Sequence, residues 1–585
     1  MRKAISRFLS INLVLFLLIN TQSFAQKNFK LEVISTNQDE QLVLSKLKTP
    51  NSFPTEVRRT KASEQLLMQL SAKGYVLAQI DSSKSNQNLL TLFISLNEKY
   101  EWGKLSKGNL SPAVIADIGF DEQEFIEKDF NYHRLIHIEE KIIRHYENHG
   151  YPFAEIKLKD IQIKKNKISA AFDLQEGPLF HIDTIILQGF TDIHYKYISQ
   201  LISIASGDLY SEEKIERISK QLASMSFAQE GKPYQVEFSD DKASIRLNLV
   251  KRSTNMFDGI VGFQPKSGTD NSLMLTGNLQ LKLINSFKRG ETIDLNWRSP
   301  GGGSQNIEVG FAYPYLFNTP LGVDYKFKLF KQDTNFINIR NTPGILFLIN
   351  GLDYVKISGD FFSSSTINPT LINGVPIDNS VLDMSSSLFL VTANFNHLDY
   401  QFNPRKGWLV NIAGGYGNKK IIRQHEIEPS YYDSIPLKSD QFRLSAHLEY
   451  FIPLFKRQTI RLASKSELLQ GDYLLSNELF RIGGFSDLRG FDEQSIYASA
   501  YSILTVEWRM LLERNSYLNV FWNGAYTENK VGNKIIYDQP MGFGAGFSFE
   551  TKAGIFALSY ALGQQMGNPI EFSAAKIHFG YMARF

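Results

Sequence analysis

Arg489 sits among glycines in the run Arg481-Ile482-Gly483-Gly484-Phe485-Ser486-Asp487-Leu488-Arg489-Gly490-Phe491-Asp492. The chemistry on offer is electrostatic, a guanidinium held in place to meet a carboxylate. A mobile outside loop has no need of paired glycines at Gly483 and Gly484, a third at Gly490, and aromatics at Phe485 and Phe491. Glycines let the backbone double back or approach another wall closely, so Arg489 is expected to project as a fixed charge. The next run, 502–510, puts Leu504, Val506, Trp508 and Met510 on one face and Thr505, Glu507 and Arg509 on the other. If the apolar face meets lipid, Glu507 points into a lumen where a folded-in loop brings it Arg489. On spacing alone, an ordinary glycine-rich hairpin with a solvated arginine satisfies the same residues.

The other cluster with ligand chemistry is His133, His137, His145 and His149 on one predicted helix. At 100° per residue, the first pair lies opposite the apolar stripe of Leu135, Ile138, Ile142 and Tyr146, and the second pair on its flank. One ion cannot easily collect all four, so a solvated helix face is expected and no metal. The glycine triplet in Ser299-Pro300-Gly301-Gly302-Gly303-Ser304 is flanked by strands and followed by no helix, so it is no phosphate cradle. No Gly-x-Ser-x-Gly elbow occurs, and neither a cofactor nor an enzymatic activity is expected. With no cysteine, disulfides, thiolate metal sites and thiol nucleophiles are excluded together. A net charge of +3 without a basic block gives no reason to expect nucleic acid.

The elements that position these residues follow from periodicity. At 585 residues the chain exceeds one compact core. Met1-Arg2-Lys3, an apolar stretch at 11–19 and Ser23-Phe24-Ala25 read as a signal peptide over 1–25, too short to span a bilayer. Gly74-Tyr75-Val76-Leu77-Ala78-Gln79-Ile80 recurs as Gly150-Tyr151-Pro152-Phe153-Ala154-Glu155-Ile156, each copy after an amphipathic helix (64–72 and 132–148) and before a strand pair. A third unit lacks the Gly-Tyr step but keeps a helix at 212–225 and strands at 234–238 and 245–250. Such a period signals an array of small modules, here 26–98, 99–177 and 178–252. From about residue 253 to the end the period falls to two: Leu273, Leu275, Leu279 and Leu281 alternate with Met274, Thr276, Asn278 and Gln280, and Phe442 to Tyr450 repeats the pattern. Two rows of opposite character over some 16 segments describe a transmembrane β-barrel, with a secreted β-sandwich as the alternative.

Gly483-Gly484 followed by Leu488-Arg489-Gly490-Phe491 resembles the inward-folded loop signature of the BamA-like outer-membrane assembly factors, the bacterial surface antigen family. Leu488 stands where that family has Val. Asp399-Tyr400-Gln401-Phe402-Asn403-Pro404-Arg405-Lys406-Gly407 resembles its turn between barrel strands, and Gly544-Ala545-Gly546-Phe547 with 554–562 its penultimate hairpin. The end, Ile577 to Phe585 with Gly580, resembles its terminal signal strand, and Gln175-Glu176-Gly177-Pro178 its module junction. One element departs: in Val520-Phe521-Trp522-Asn523-Gly524 the pattern puts Trp522 at the usual Asp, leaving Arg489 to rely on Glu507 alone. The resemblance implies α+β POTRA repeats in the periplasm followed by an all-β outer-membrane barrel, of 16 strands in that family's pattern. It implies assembly or insertion of unfolded outer-membrane protein clients, gripped by POTRA edges and templated at a lateral seam marked by Gly259, Gly262, Gly580 and Phe585. Accessory periplasmic or lipoprotein subunits and the lipid bilayer are the other implied partners. The sister function is secretion of a partner polypeptide.

Overall fold

The computed structural model describes residues 29–47, 50–86, 88–265, 273–301, 304–333, 335–368, 371–372, 375–376, 381–401, 403–551 and 554–584. The signal-peptide reading at 1–25 and the terminal Phe585 lie outside them.

Three modules share one order: strand, helices, hairpin. In the first, Phe29–Ile34 leads through helices Gln38–Ser45 and Glu56–Ser71 to the hairpin Gln79–Asn86 and Leu89–Ser95. In the second, Glu101–Ser106 leads through Pro112–Ile118 and Tyr132–Glu147 to Glu155–Lys164 and Lys167–Gln175. The third runs from His181–Gly189 through Tyr195–Ile202 and two short helices to Ala228–Ser239 and Lys242–Lys251. In each, the last strand pairs parallel with the first and antiparallel with its hairpin mate, leaving the mate on an edge. Side-chain oxygens of Thr55, Ser111 and Asn131 cap the helix starts by accepting an N–H from the first turn. The Thr55 cap makes the first repeat helix begin at Glu56, earlier than the predicted 64. The predicted helix at 212–225 is instead two, Glu212–Glu216 and Ile218–Ala223. Ser211 makes no cap there; Asn148 Oδ1 of the preceding module accepts both the Ser211 hydroxyl at 3.1 Å and the first-turn Glu213 N–H at 2.8 Å. Each module buries its own core; the second is centred on Trp102, packed edge-to-face on Phe125 at 5.8 Å.

The Gly-Tyr repeat forms the joints. Gly74 and Gly150 hold φ of +91° and +98°, and their carbonyls accept the Tyr100 and Phe180 N–H groups of the next module at 2.8 and 2.7 Å. At the third joint the Phe227 carbonyl takes the Arg252 N–H at 2.9 Å.

From Met256 the chain forms a closed antiparallel barrel. Lys534–Asp538 and Met541–Glu550 both pair with Tyr517–Val531 and form one interrupted strand, so the segments make sixteen strand positions. Outside, the wall carries large apolar residues such as Ile345, Phe389, Ile412, Val520, Ile577 and Phe579, all exposed. Inside run charges in ion pairs: Arg340 and Arg443 on Asp360 at 3.3 and 3.2 Å, Arg461 on Glu449 at 2.9 Å, Lys356 on Asp324 at 3.0 Å. An apolar exterior around a polar lumen is stable only if lipid surrounds it, and each strand pairs along its length with its neighbours except at the junction of the first and last strands. The third module docks on the barrel turns beside it. His194 N–H donates to Lys288 O at 2.6 Å, Asn285 Nδ2 to Asp192 O at 2.9 Å, and the Tyr197 ring packs on Tyr315 at 5.5 Å.

Candidate functional site

The loop 472–499 leaves strand Gln458–Gly471 at the end far from the modules and turns into the lumen before returning as strand Ala500–Leu511. Two stations hold it. At the first, the Glu478 carboxylate contacts Lys419 Nζ and accepts from Gln441 Nε2 at 2.7 Å, while Asn477 Nδ2 donates to Ser364 Oγ at 2.6 Å and Leu382 O at 2.9 Å. The loop then narrows to a two-stranded stalk, Phe480–Ile482 on Ile496–Ala498. Arg481 on this stalk sits among aromatic rings, its guanidinium carbon 3.9 Å from the Phe330 centroid and 5.0 Å from that of Tyr497.

The second station is the tip. Gly483, Gly484 and Gly490 have φ of +117°, +100° and +99°, and that geometry folds the tip back on itself. Leu488 and Phe491 are buried with Ile482, Tyr501 and Ile503. Arg489 Nη2 lies 2.8 Å from Glu507 Oε2, and Arg509 Nε lies 2.6 Å from the other oxygen of the same carboxylate. Arg489 Nε also donates to Asn523 Oδ1 at 3.2 Å, and its guanidinium carbon stands 3.4 Å from the centroid of Phe521. Arg489 therefore does not rely on Glu507 alone, and Trp522 is not the residue at the vacant slot. Trp522 faces outward, whereas Phe521 and Asn523 lie on the inner face beside Glu507 and Thr505, their cross-strand partners. Asn523 Nδ2 donates to Thr505 Oγ1 at 2.7 Å, fixing the amide with its oxygen toward the arginine.

Around this seat the tip spans the meeting point of the first and last barrel strands. Lys576 Nζ lies 2.8 Å from Asp492, and Gly490 N–H donates to His578 Nε2 at 3.3 Å, both on the last strand. Across the junction, Arg298 Nη1 of the third barrel strand reaches Glu493 at 3.2 Å. Tip and wall meet through glycine on both sides: a Cβ at Gly490 would lie 2.7 Å from Leu562 O, and one at Gly563 of the wall 2.5 Å from Gly490 O. Phe485 Cε1 stands 3.6 Å from where a Cβ of Gly580 would be.

The junction itself is short. Among the described residues, strand Met256–Pro265 pairs with Lys576–Arg584 at two positions, Met256 with Arg584 and Phe257 with Ala583, at the end facing the modules. Gly259 and Gly262 pair with Leu279 and Thr276 on the second strand and have no partner on the last one. Gly580 pairs only backward, with Ala557. The structure thus gathers the loop residues, Glu507 and Gly580 at one place, with Gly259 and Gly262 across the gap. The residues that sequence reasoning missed are Asn523, Phe521, Arg509, Asp492 and Glu493. The two-residue period of 517–531 carries the signal for the first two, because it separates Trp522 from Phe521 and Asn523. Of the four histidines, His145 Nδ1 is engaged by Asp117 at 2.6 Å and His149 Nδ1 by the His145 carbonyl at 2.5 Å.

These features define a membrane-embedded barrel that carries modules at one end and an arginine-tipped loop in its lumen. The chain belongs to the Omp85 superfamily, whose domain matches residues 285–585. It is 22% identical over 320 residues to the outer membrane protein assembly factor BamA of Buchnera aphidicola, a match that takes in 51% of this chain and 50% of that protein. The chain thus spans about half the length of the curated relative it matches. Among solved structures, CdiB from Escherichia coli aligns over 90% of this chain and 97% of its own, with a TM-score of 0.52 at 14% identity. CdiB from Acinetobacter baumannii aligns over the same shares with a TM-score of 0.51 at 12% identity. At those identities the likeness is one of fold. The barrel lies in the outer membrane and the amino-terminal modules are periplasmic, so the docked turns mark the periplasmic rim.

Proposed function

We propose that this protein assembles or inserts other outer-membrane proteins by opening its barrel at the junction of the first and last strands. The observation that carries the reading is the two-pair seam. A strand edge in lipid must find a partner, and a seam held by few hydrogen bonds is the place where an incoming client strand finds one. The tip of loop 472–499 braces the inner wall on both sides of the gap through Lys576, His578 and Arg298, so the lumen keeps its shape while the seam parts. The modules supply edge strands upstream. Glu155–Lys164 shows Ile161 and Ile163 exposed on such an edge, suited to add an unfolded chain through main-chain hydrogen bonds. Clients are then unfolded barrel proteins, and the driving force is their own folding into lipid, with no cofactor or nucleotide. Passage of a polypeptide through the lumen is the alternative. It requires removal of a loop held at Lys419, Ser364 and Glu507, whereas insertion at the seam leaves that loop seated.

The test is reconstitution of the chain in liposomes with an unfolded barrel client. Protease-resistant client is expected to accumulate faster than in empty liposomes. Equal rates contradict the proposal.

A further inference from the structure

Three consecutive periplasmic turns, 397–406, 456–457 and 512–516, enclose a cleft of about 480 Å³ on the rim. Its side chains include Arg405, Lys456, Arg457 and Arg514. Among the described residues none of these four makes an ion pair with a carboxylate. Of the two acids that line the cleft, Asp399 is committed: its Oδ1 accepts the Arg405 and Lys406 N–H groups at 2.9 and 3.2 Å. Asp399 keeps its charge, so four cations share the cleft with two carboxylates and remain in excess. A fifth, Arg252 on the linker from the third module, lies near enough to Arg514 that its pKa is lowered, first by burial and then by that charge. Crowded cations repel one another, and a bound anion relieves the repulsion.

The cleft is a built frame. Asn403 joins two of the turns to the strand interior, its Nδ2 donating to Arg514 O at 3.0 Å and its Oδ1 accepting from Arg509 Nη1 at 3.0 Å. Arg405 donates to the Lys456 carbonyl, Thr459 Oγ1 donates to Arg405 O at 2.8 Å, and Arg514 lies over the Tyr400 ring at 4.4 Å. The guanidinium of Arg514 is oriented before any ligand arrives. Beside these cations stand exposed Leu454, Phe455 and Leu512, Phe455 at 70% exposure. A site with a cationic floor and an apolar flank fits an anion that carries acyl chains better than a free one.

We propose that this cleft binds the phosphodiester headgroup of a net-anionic phospholipid of the periplasmic leaflet. Arg405, Lys456, Arg457 and Arg514 hold the phosphate while the acyl chains lie along Leu454, Phe455 and Leu512. The turns of the cleft join barrel strands other than the first and last, and the site does not depend on whether the protein inserts or secretes its client.

Tryptophan reports on it directly. Trp408 is the second residue of the strand after the first turn, and Trp508 Nε1 donates to Gln458 Oε1 at 3.2 Å beside the second turn. The full chain is folded into phosphatidylcholine vesicles that contain a minority of brominated phosphatidylglycerol or, in parallel, brominated phosphatidylcholine. Quenching by the glycerol lipid is expected to indicate several-fold local enrichment over the choline lipid. That excess is expected to vanish in the variant with Arg405→Gln, Lys456→Gln, Arg457→Gln and Arg514→Gln, and to fall in Lys456→Gln alone, whose ammonium holds no partner the fold requires. Heat-modifiability on a gel checks that each variant is folded. Inorganic phosphate is added against chloride at matched ionic strength. Retention of the excess supports the lipid, and its selective loss in phosphate assigns the cleft to the free ion and overturns the lipid reading. Equal quenching by both lipids, or an excess that survives the substitutions in folded protein, overturns it as well.

Discussion

Arg489 combines three contacts of different kinds. It shares a carboxylate with Arg509, takes one amide oxygen and lies on one aromatic face. Glu507 is the keystone, because its removal leaves Arg489 and Arg509 facing each other without an anion. Loss of one partner from a buried pair costs about 3–5 kcal/mol, and a partly wet lumen lowers that figure. Glu507→Gln is therefore expected to lower the temperature at which the folded band converts on a gel more than Arg489→Ala does. Asn523→Ala is expected to cost about 1 kcal/mol, and Asn523→Asp to hold the loop at least as firmly, because it adds a second carboxylate at the same atom. Trp522→Ala leaves the seat untouched, since that ring faces lipid. The gel-conversion temperature of each variant checks the ranking. The glycines and Glu507 were legible in the sequence because they repeat a known spacing and alternate on one strand. Asn523 was not, since matching the pattern one residue out of frame hid it behind its outward neighbour.

Periodicity reveals elements better than it reveals their joints. The two-residue period exposed the barrel, and the 76-residue spacing of Gly74 and Gly150 exposed the modules. The reason for those glycines emerged only in three dimensions, where their carbonyls fasten each module to the next. At Gly150 a Cβ would stand 2.6 Å from Leu179 Cδ1, and φ of +98° is costly for any side chain. Gly150→Ala is expected to destabilise the joint by about 1–2 kcal/mol and to change the angle between the second and third modules. Small-angle scattering of the full chain in detergent, with limited proteolysis near residues 176–180, reads the change. An unchanged scattering curve would mean that the joint tolerates the new conformation. Arg481 offers a comparable test on the loop stalk. Its rings at Phe330 and Tyr497 prefer a flat guanidinium, so Arg481→Lys is expected to lose about 0.5–2 kcal/mol while keeping the charge. Long-range contacts of this kind, like the Lys419–Glu478 pair, leave no spacing in the sequence because their partners are brought together by barrel closure alone.

At the scale of the molecule, the third module is joined to the barrel turns on the periplasmic side, the same side on which the first and last strands pair. The third module docks on the barrel turn at 285–290, which follows the second strand, the neighbour of the first. The account stands or falls on whether that seam opens. Continuing the register of Met256 with Arg584 and Phe257 with Ala583 would set Gly259 opposite Tyr581. The chain has no cysteine of its own, so Gly259→Cys with Tyr581→Cys gives a single bond that can lock the strands. The decisive measurement is the rate of client folding by this variant in liposomes, oxidised and then reduced. The account predicts a rate no higher than in empty liposomes when the bond is closed, with recovery on reduction. Undiminished client folding with the bond closed would contradict it.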